Sequence, residues 1–161
     1  MKPEITPYDA TYRKQVIDLS IDAWTPVIAK TEHEVPGFVF EAFYPDGWLR
    51  RHTKDVTDLL DKEPENIWLA FSGEELAGFI GLRNHPEDQM GEIYIIAVAP
   101  SHQRQGIGRH LMGFAGDLFR DRGMKMMMVE TIGDEGHAPA RRAYEAFGFQ
   151  PWPVARYFKE L

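Results

Sequence analysis

The chain has 161 residues, 43% hydrophobic and 27% charged, which suits one globular domain with a full core and leaves no room for two ordinary ones. It has no cysteine, which excludes disulfides, a thiolate nucleophile and cysteine-ligated metal; nothing resembles a secretory leader, and no apolar run is long enough to span a bilayer. The net charge of −7 is uneven, with 17 acidic against 9 basic side chains in residues 1–89 and 8 against 9 in residues 90–161. An acidic surface repels nucleic acid and anionic membranes and draws in cations, so neither is expected as a partner and a cytoplasmic location is the default.

Pro3–Pro7 reads as a short extended opening. Asp9 is a candidate N-cap for a helix in which Val16, Ile17, Leu19, Ala23 and Trp24 recur at helical spacing. Thr25-Pro26 reads as a fresh cap with proline at the first helical position, so a break and restart are expected there. Thr31–Tyr44 holds Pro36-Gly37 and the aromatics Phe38, Phe40, Phe43 and Tyr44. Asp46 is expected to cap a second helix with Trp48, Leu49, His52, Val56, Leu59 and Leu60 on its apolar face, stopped by Pro64. Ile67–Phe71 and Leu76–Arg83 are strand-like, and the short Ser72–Glu75 link makes them a hairpin. A polar turn, Asn84–Gln89, leads to a strand over Gly91–Ala99.

After that strand comes Pro100-Ser101-His102-Gln103-Arg104-Gln105-Gly106-Ile107-Gly108-Arg109, then an amphipathic helix to Arg122 ended by Gly123. A helix start offers unpaired N–H groups and the positive end of its dipole, and two glycines let an anion approach the backbone. Such a turn suits a phosphate, and a tight packing turn would look the same. It is neither a Walker loop, lacking Gly-Lys-Ser/Thr, nor the dinucleotide fingerprint, whose glycine spacing differs. Lys125–Thr131 is the next strand, Gly133–Gly136 a loop, Pro139–Phe147 a helix, and Trp152–Lys159 a final strand. Strands and helices in this order make an α/β (α+β) layered sheet with helices on both faces.

Gln103-x-x-Gly106-x-Gly108 resembles the Arg/Gln-x-x-Gly-x-Gly/Ala signature of the GNAT N-acetyltransferase superfamily. The likeness extends to the preceding strand with Glu92 and Val98-x-Pro100, and to Ala140-x-x-Ala143-Tyr144-Glu145-x-Phe147-Gly148-Phe149. It is specific over about 90–150, weaker over 66–90 and absent over 1–65. The resemblance implies a mixed central sheet whose central strands splay to admit acetyl-CoA, with no metal. It implies that the N–H groups of Gln103, Arg104, Gln105, Gly106, Ile107 and Gly108 hold the pyrophosphate, aided by Arg104 and Arg109. It further implies that Ile96, Ala97 and Val98 line the pantetheine arm, with the Ile96 N–H aimed at the thioester carbonyl.

On the same footing, Glu92 is the implied general base and Tyr144 the implied acid for the leaving thiolate. Strand alternation is expected to put Glu92, Tyr94 and Ile96 on one face. His137 stands where the family usually has an asparagine that binds the cosubstrate, which leaves its role open. No spacing of His, Asp and Glu suggests a metal site, and no Ser/His/Asp set stands out. Acceptor specificity is implied to lie within Trp24–Trp48, with Trp24, Phe38 and Tyr94 as candidate contacts. Aromatics mixed with Glu32, Glu34, Glu41 and Asp46 suit a cationic amine, though such aromatics also serve as core. The expected activity is acetyl transfer to a primary amine of a small molecule by direct attack. A peptide N terminus or lysine, an aminoglycoside-type antibiotic, and a non-catalytic CoA-binding module remain alternatives. A homodimer is compatible with the resemblance, but no face is singled out for it.

Overall fold

A computed structural model describes residues 2–161. Its five-stranded sheet runs in the order β1 (Glu4–Pro7), β2 (Ile67–Ser72), β3 (Glu75–His85), β4 (Met90–Val98) and β5 (Met126–Val129). The first four pair antiparallel and β5 joins β4 in parallel, so the sheet is mixed. Helices α1 (Arg13–Glu34) and α3 (Trp48–Lys62) cover one face, where Val16, Leu19, Val56, Leu59 and Leu60 bury against Ile67, Leu69 and Phe79. Helices α4 (Ile107–Asp121) and α5 (Ala138–Phe147) cover the other, with Leu111, Met112, Ala115 and Phe119 packed on Ile80, Leu82 and Ile93. A short α2 (Gly37–Phe43) carries part of the aromatic cluster.

Several expectations are corrected. No break occurs at Thr25-Pro26: α1 runs through, with Pro26 inside it. An internal proline costs about 3 kcal/mol, but residues on both sides of it, Leu19 and Ser20 before and Ile28 and Thr31 after, are buried and hold one continuous axis. Asp46 does not cap α3; Gly47, at φ +87°, occupies that place, and Asp46 instead lies 3.6 Å from Arg50 one turn on. Asp9 does cap, but for the 3₁₀ turn before α1, where it accepts from the Thr11 N–H at 2.8 Å.

The expected final strand over Trp152–Lys159 is also absent. Residues 151–161 form no ladder and are exposed, Trp152 at 88% and Tyr157 at 91%. Pro151 and Pro153 each lack the N–H that a ladder needs. The segment instead brings Arg156 to the central cleft and the Phe158 ring edge-on to Phe43 of α2, 6.0 Å between centroids.

A bulge in β4 overturns the alternation argument. Leu82 faces Ile93 and Gly81 faces Ile95, so Tyr94 is an extra residue. Beyond it the parity of the strand inverts: Ile93, Ile96 and Val98 share the α4 face, whereas Ile95 and Ala97 turn to α1 and α3. Glu92 and Ile96 therefore lie on opposite faces. The bulge also raises local twist where pairing with β5 ends, at Ile93 opposite Val129.

Candidate active site

Because β5 stops pairing at Ile93, the second half of β4 has one free edge. The Ala99 N–H donates to the Ala77 carbonyl at 2.8 Å, and the antiparallel register alternates from there. Ala97 and Ile95 thus spend their amides on β3, while those of Val98 and Ile96 point into the split. The split is the mouth of a cleft of about 800 Å³ that passes between β4 and β5. Trp24 and Val27 of α1 wall it on one face of the sheet, Met112 of α4 and Tyr144 of α5 on the other.

The turn after β4 closes one end. Arg104, at φ +60°, and Gly106, at φ +84°, both stand in the left-handed region, so successive amides converge on one side of the chain. Among the described residues, the N–H groups from Arg104 through Arg109 find no protein acceptor. Gly106 caps α4 with no side-chain bond, which leaves the positive end of the helix open. The Gln103 amide contributes less, since it donates to the Pro100 carbonyl at 3.4 Å while its side chain donates to the Val98 carbonyl at 3.2 Å. Gln105 folds its side chain back to the Ser101 carbonyl and, unlike its neighbours Arg104 and Gly106, does not line the cleft. Arg109 reaches across to α5, its guanidinium 5.6 Å from the centre of the Phe147 ring. These donors form a concave set of amides that suits an anion, flanked by Arg104 and Arg109.

Tyr144 lines the cleft two turns into α5, edge-on to Phe149. Burial pushes its pKa above that of a free phenol, so the hydroxyl stays protonated at neutral pH. Glu92, by contrast, does not line the cleft. It belongs to a chain of groups on the outer stretch of the sheet: His85 donates to it at 2.7 Å, and Arg83 opposite binds Glu63 through two hydrogen bonds. The Arg83 guanidinium lies 3.5 Å over the ring of Tyr94 and holds that bulged residue at the cleft edge. The hydrogen bond to Glu92, above all, raises the His85 pKa.

Of the expected acceptor contacts, the structure brings Trp24 and Tyr94 to the cleft but leaves Phe38 on α2, outside it. Glu32, Glu34, Glu41 and Asp46 are not lining residues either, and Glu130 is the carboxylate that is. Trp24 stands between two imidazoles, 5.6 Å from the ring of His137 and 5.7 Å from that of His52. His52 Nε2 is 2.8 Å from the buried Ser20 hydroxyl, and burial lowers its pKa.

His137 is accompanied by two residues the sequence did not single out. Its ring nitrogen Nδ1 lies 2.5 Å from Asp134 Oδ1, and its amide donates to the same oxygen at 3.2 Å. Thr31, from the end of α1, donates its hydroxyl to the other oxygen, Oδ2. Asp134 and His137 stand three apart before a helix, the spacing at which a capping carboxylate reaches an amide of the first turn. Thr31 lies 103 positions away and carries no sequence signal of this contact.

The profile of the Acetyltransferase (GNAT) family matches residues 31–149. The chain belongs to that family. Among curated relatives it is 38% identical over 92 residues to a mycothiol acetyltransferase of Thermomonospora curvata, covering 57% of this chain and 30% of that one. A mycothiol acetyltransferase of Catenulispora acidiphila is 29% identical over 162 residues, covering 91% of this chain and 46% of its own. The chain thus spans about a third to a half of these relatives. Of solved structures, the PaiA N-acetyltransferase of Thermoplasma acidophilum in complex with coenzyme A aligns over 96% of this chain and 94% of its own, with a TM-score of 0.71 at 16% identity. An aminoglycoside N-acetyltransferase in complex with CoA aligns over 98% and 94%, with a TM-score of 0.64 at 14% identity. These two likenesses establish the shared fold. No helix among the described residues is long and apolar enough to cross a membrane.

Proposed function

We propose that this protein moves the acetyl group of acetyl-CoA to a primary amine of a small molecule, by direct attack. The observation that carries this is a single cleft joining three things: the unpaired amides of Arg104–Arg109, the free β4 edge at Ile96 and Val98, and the hydroxyl of Tyr144. Cosubstrate and acceptor are then held at opposite ends of one opening through the sheet.

The residues divide the work. The turn amides, with Arg104 and Arg109, bind the diphosphate, and Val98 pairs with the amide arm as an added strand would. The Ile96 N–H donates to the thioester oxygen as it gains negative charge, the place where a fixed dipole does most for the rate. The amine lone pair forms the C–N bond, the C–S bond breaks, Tyr144 gives its proton to the departing sulfur, and the proton that the new amide nitrogen sheds restores the phenol. An alkyl ammonium of pKa about 10.4 must first lose a proton to a base. A cationic acceptor meets the face of Trp24 and the carboxylate of Glu130. Small-molecule partners and a cytoplasmic setting belong to the same proposal, and mycothiol acetyltransferases among the relatives favour a small acceptor.

The test is a panel of primary amines incubated with acetyl-CoA while released thiol is followed. Amine-dependent release with the acetylated amine as product is expected. No release with any amine, alongside measurable CoA binding, would leave a CoA-binding module instead. Faster transfer to a peptide N terminus than to every free amine would replace the small acceptor.

A further inference from the structure

We propose that His137, oriented by Asp134, is the base that takes the proton from the acceptor ammonium, a role that rests on the N-acetyltransferase reading above. Asp134 is only 8% exposed, and both of its oxygens are engaged, Oδ1 by the ring and amide of His137 and Oδ2 by the hydroxyl of Thr31. Burial raises its pKa, but the hydrogen bonds from Thr31 and His137 outweigh that, and the carboxyl lies below its ordinary value. A carboxylate accepting at 2.5 Å requires a proton on Nδ1, so the neutral ring carries its lone pair on Nε2. Nε2 has no hydrogen-bond partner among the described residues and is not sealed in the protein. His137 lines the cleft, so this free lone pair belongs to the cleft.

The surroundings hold the ring in place. A Cβ on Gly136 would stand 2.5 Å from the Val27 carbonyl, so the loop lies directly on α1. The Trp24 ring covers the imidazole from the α1 side. Arg141 clamps the loop from α5 by donating to the carbonyls of Ile132 and Asp134. Lys30 of α1, Glu130 beyond β5, Tyr144 of α5 and Arg156 of the C-terminal segment share the cleft with the imidazole, and His52 lies behind Trp24. Of these, Glu130 draws in a cationic acceptor and the two cations, Lys30 and Arg156, favour its neutral amine, while the buried carboxylate of Asp134 holds the charge that the ring gains. In the step itself the ammonium N–H bond breaks, its proton goes to Nε2, and the freed lone pair attacks the acetyl carbon. Glu92 has no such access, since it is outside the cleft lining and already bound to His85.

The experiment pairs pH profiles with ring spectroscopy. For the best amine of the panel, kcat/KM is measured across pH for the wild type and for H137Q, D134N and E92Q, with CoA affinity by calorimetry as the check on folding. H137Q is expected to lose about 100-fold in kcat/KM, and its acid-side limb, with CoA affinity kept. E92Q is expected to retain the limb. Two-dimensional ¹H–¹⁵N spectra of histidine-labelled protein with CoA are expected to show His137 as the Nδ1–H tautomer in the wild type and to lose that preference in D134N. An Nε2–H tautomer in the wild type, or a limb that survives H137Q and vanishes in E92Q, overturns the proposal. Thiol release by the wild type with an unaltered H137Q profile removes this role alone; no release with any amine removes the N-acetyltransferase reading and this role together.

Discussion

The two ends of the cleft are made of different materials. The end proposed for the cosubstrate is main chain: the amides of Arg104–Arg109, the left-handed Arg104 and Gly106, and the unpaired edge at Ile96 and Val98. The end proposed for the acceptor is side chain: Trp24, Tyr94, Glu130 and the Thr31–Asp134–His137 set. A backbone cradle depends on conformation and tolerates many side chains, so it can stay constant while its neighbour varies. An end built from side chains drawn from α1, β4, the loop after β5 and α5 changes with each substitution, and the proposed function puts acceptor specificity there.

Substitutions at either end separate the two. The largest effect is expected from Tyr144→Phe, at the junction of the ends: about 100-fold lower kcat with CoA affinity within a few-fold of wild type. Equal losses in both would make the tyrosine a packing residue. Gly136→Ala strikes the acceptor end, where its Cβ would meet the Val27 carbonyl at 2.5 Å. A loss of about 1–3 kcal/mol in denaturant unfolding is expected, with KM for the amine rising more than KM for acetyl-CoA. Gly106→Ala strikes the other end; at φ +84° an alanine costs about 1–2 kcal/mol, and here CoA affinity should fall while the amine KM holds. An inverted pattern for this pair would dissolve the division.

The smallest effect lies outside both ends. His85 has a raised pKa because Glu92 accepts from it, so that pair stabilises the fold below the ordinary imidazole pKa of about 6.5 and its contribution is lost as pH rises through the folded value. Glu92→Gln should therefore lower the melting temperature more at pH 5.5 than at pH 8.5. Asp134 behaves in the opposite sense. Its depressed pKa gives a contribution present above the ordinary carboxyl pKa and lost as pH falls through the folded value.

These contrasts follow how the chain could be read. The turn was legible because glycine spacing, a strand before and a helix after are all local, and Gly106 indeed adopts the left-handed cap there. Tyr144 was legible for the same reason, standing within a contiguous helix pattern that lines the cleft. Glu92 misled on its face because one extra residue, Tyr94, inverts the parity of β4, and nothing in Glu92–Val98 marks a bulge. Pro26 misled because local propensity yields to burial on both sides of α1. The run Trp152–Lys159 holds the strand formers Trp152, Val154, Tyr157 and Phe158, yet Pro151 and Pro153 remove ladder donors.

Chain-local rules were enough for the glycine bend between β4 and α4 and for the alternation of helix and strand, since backbone conformation answers to neighbours a few residues away. The opening between β4 and β5 and the company kept by each titratable group came only with folding. Thr31 must meet Asp134 across 103 positions, and β5 must run parallel beside β4 for only four residues. Such meetings are set by how helices and strands pack, because a side chain's proton affinity is decided by whatever stands within a few ångströms of it in space.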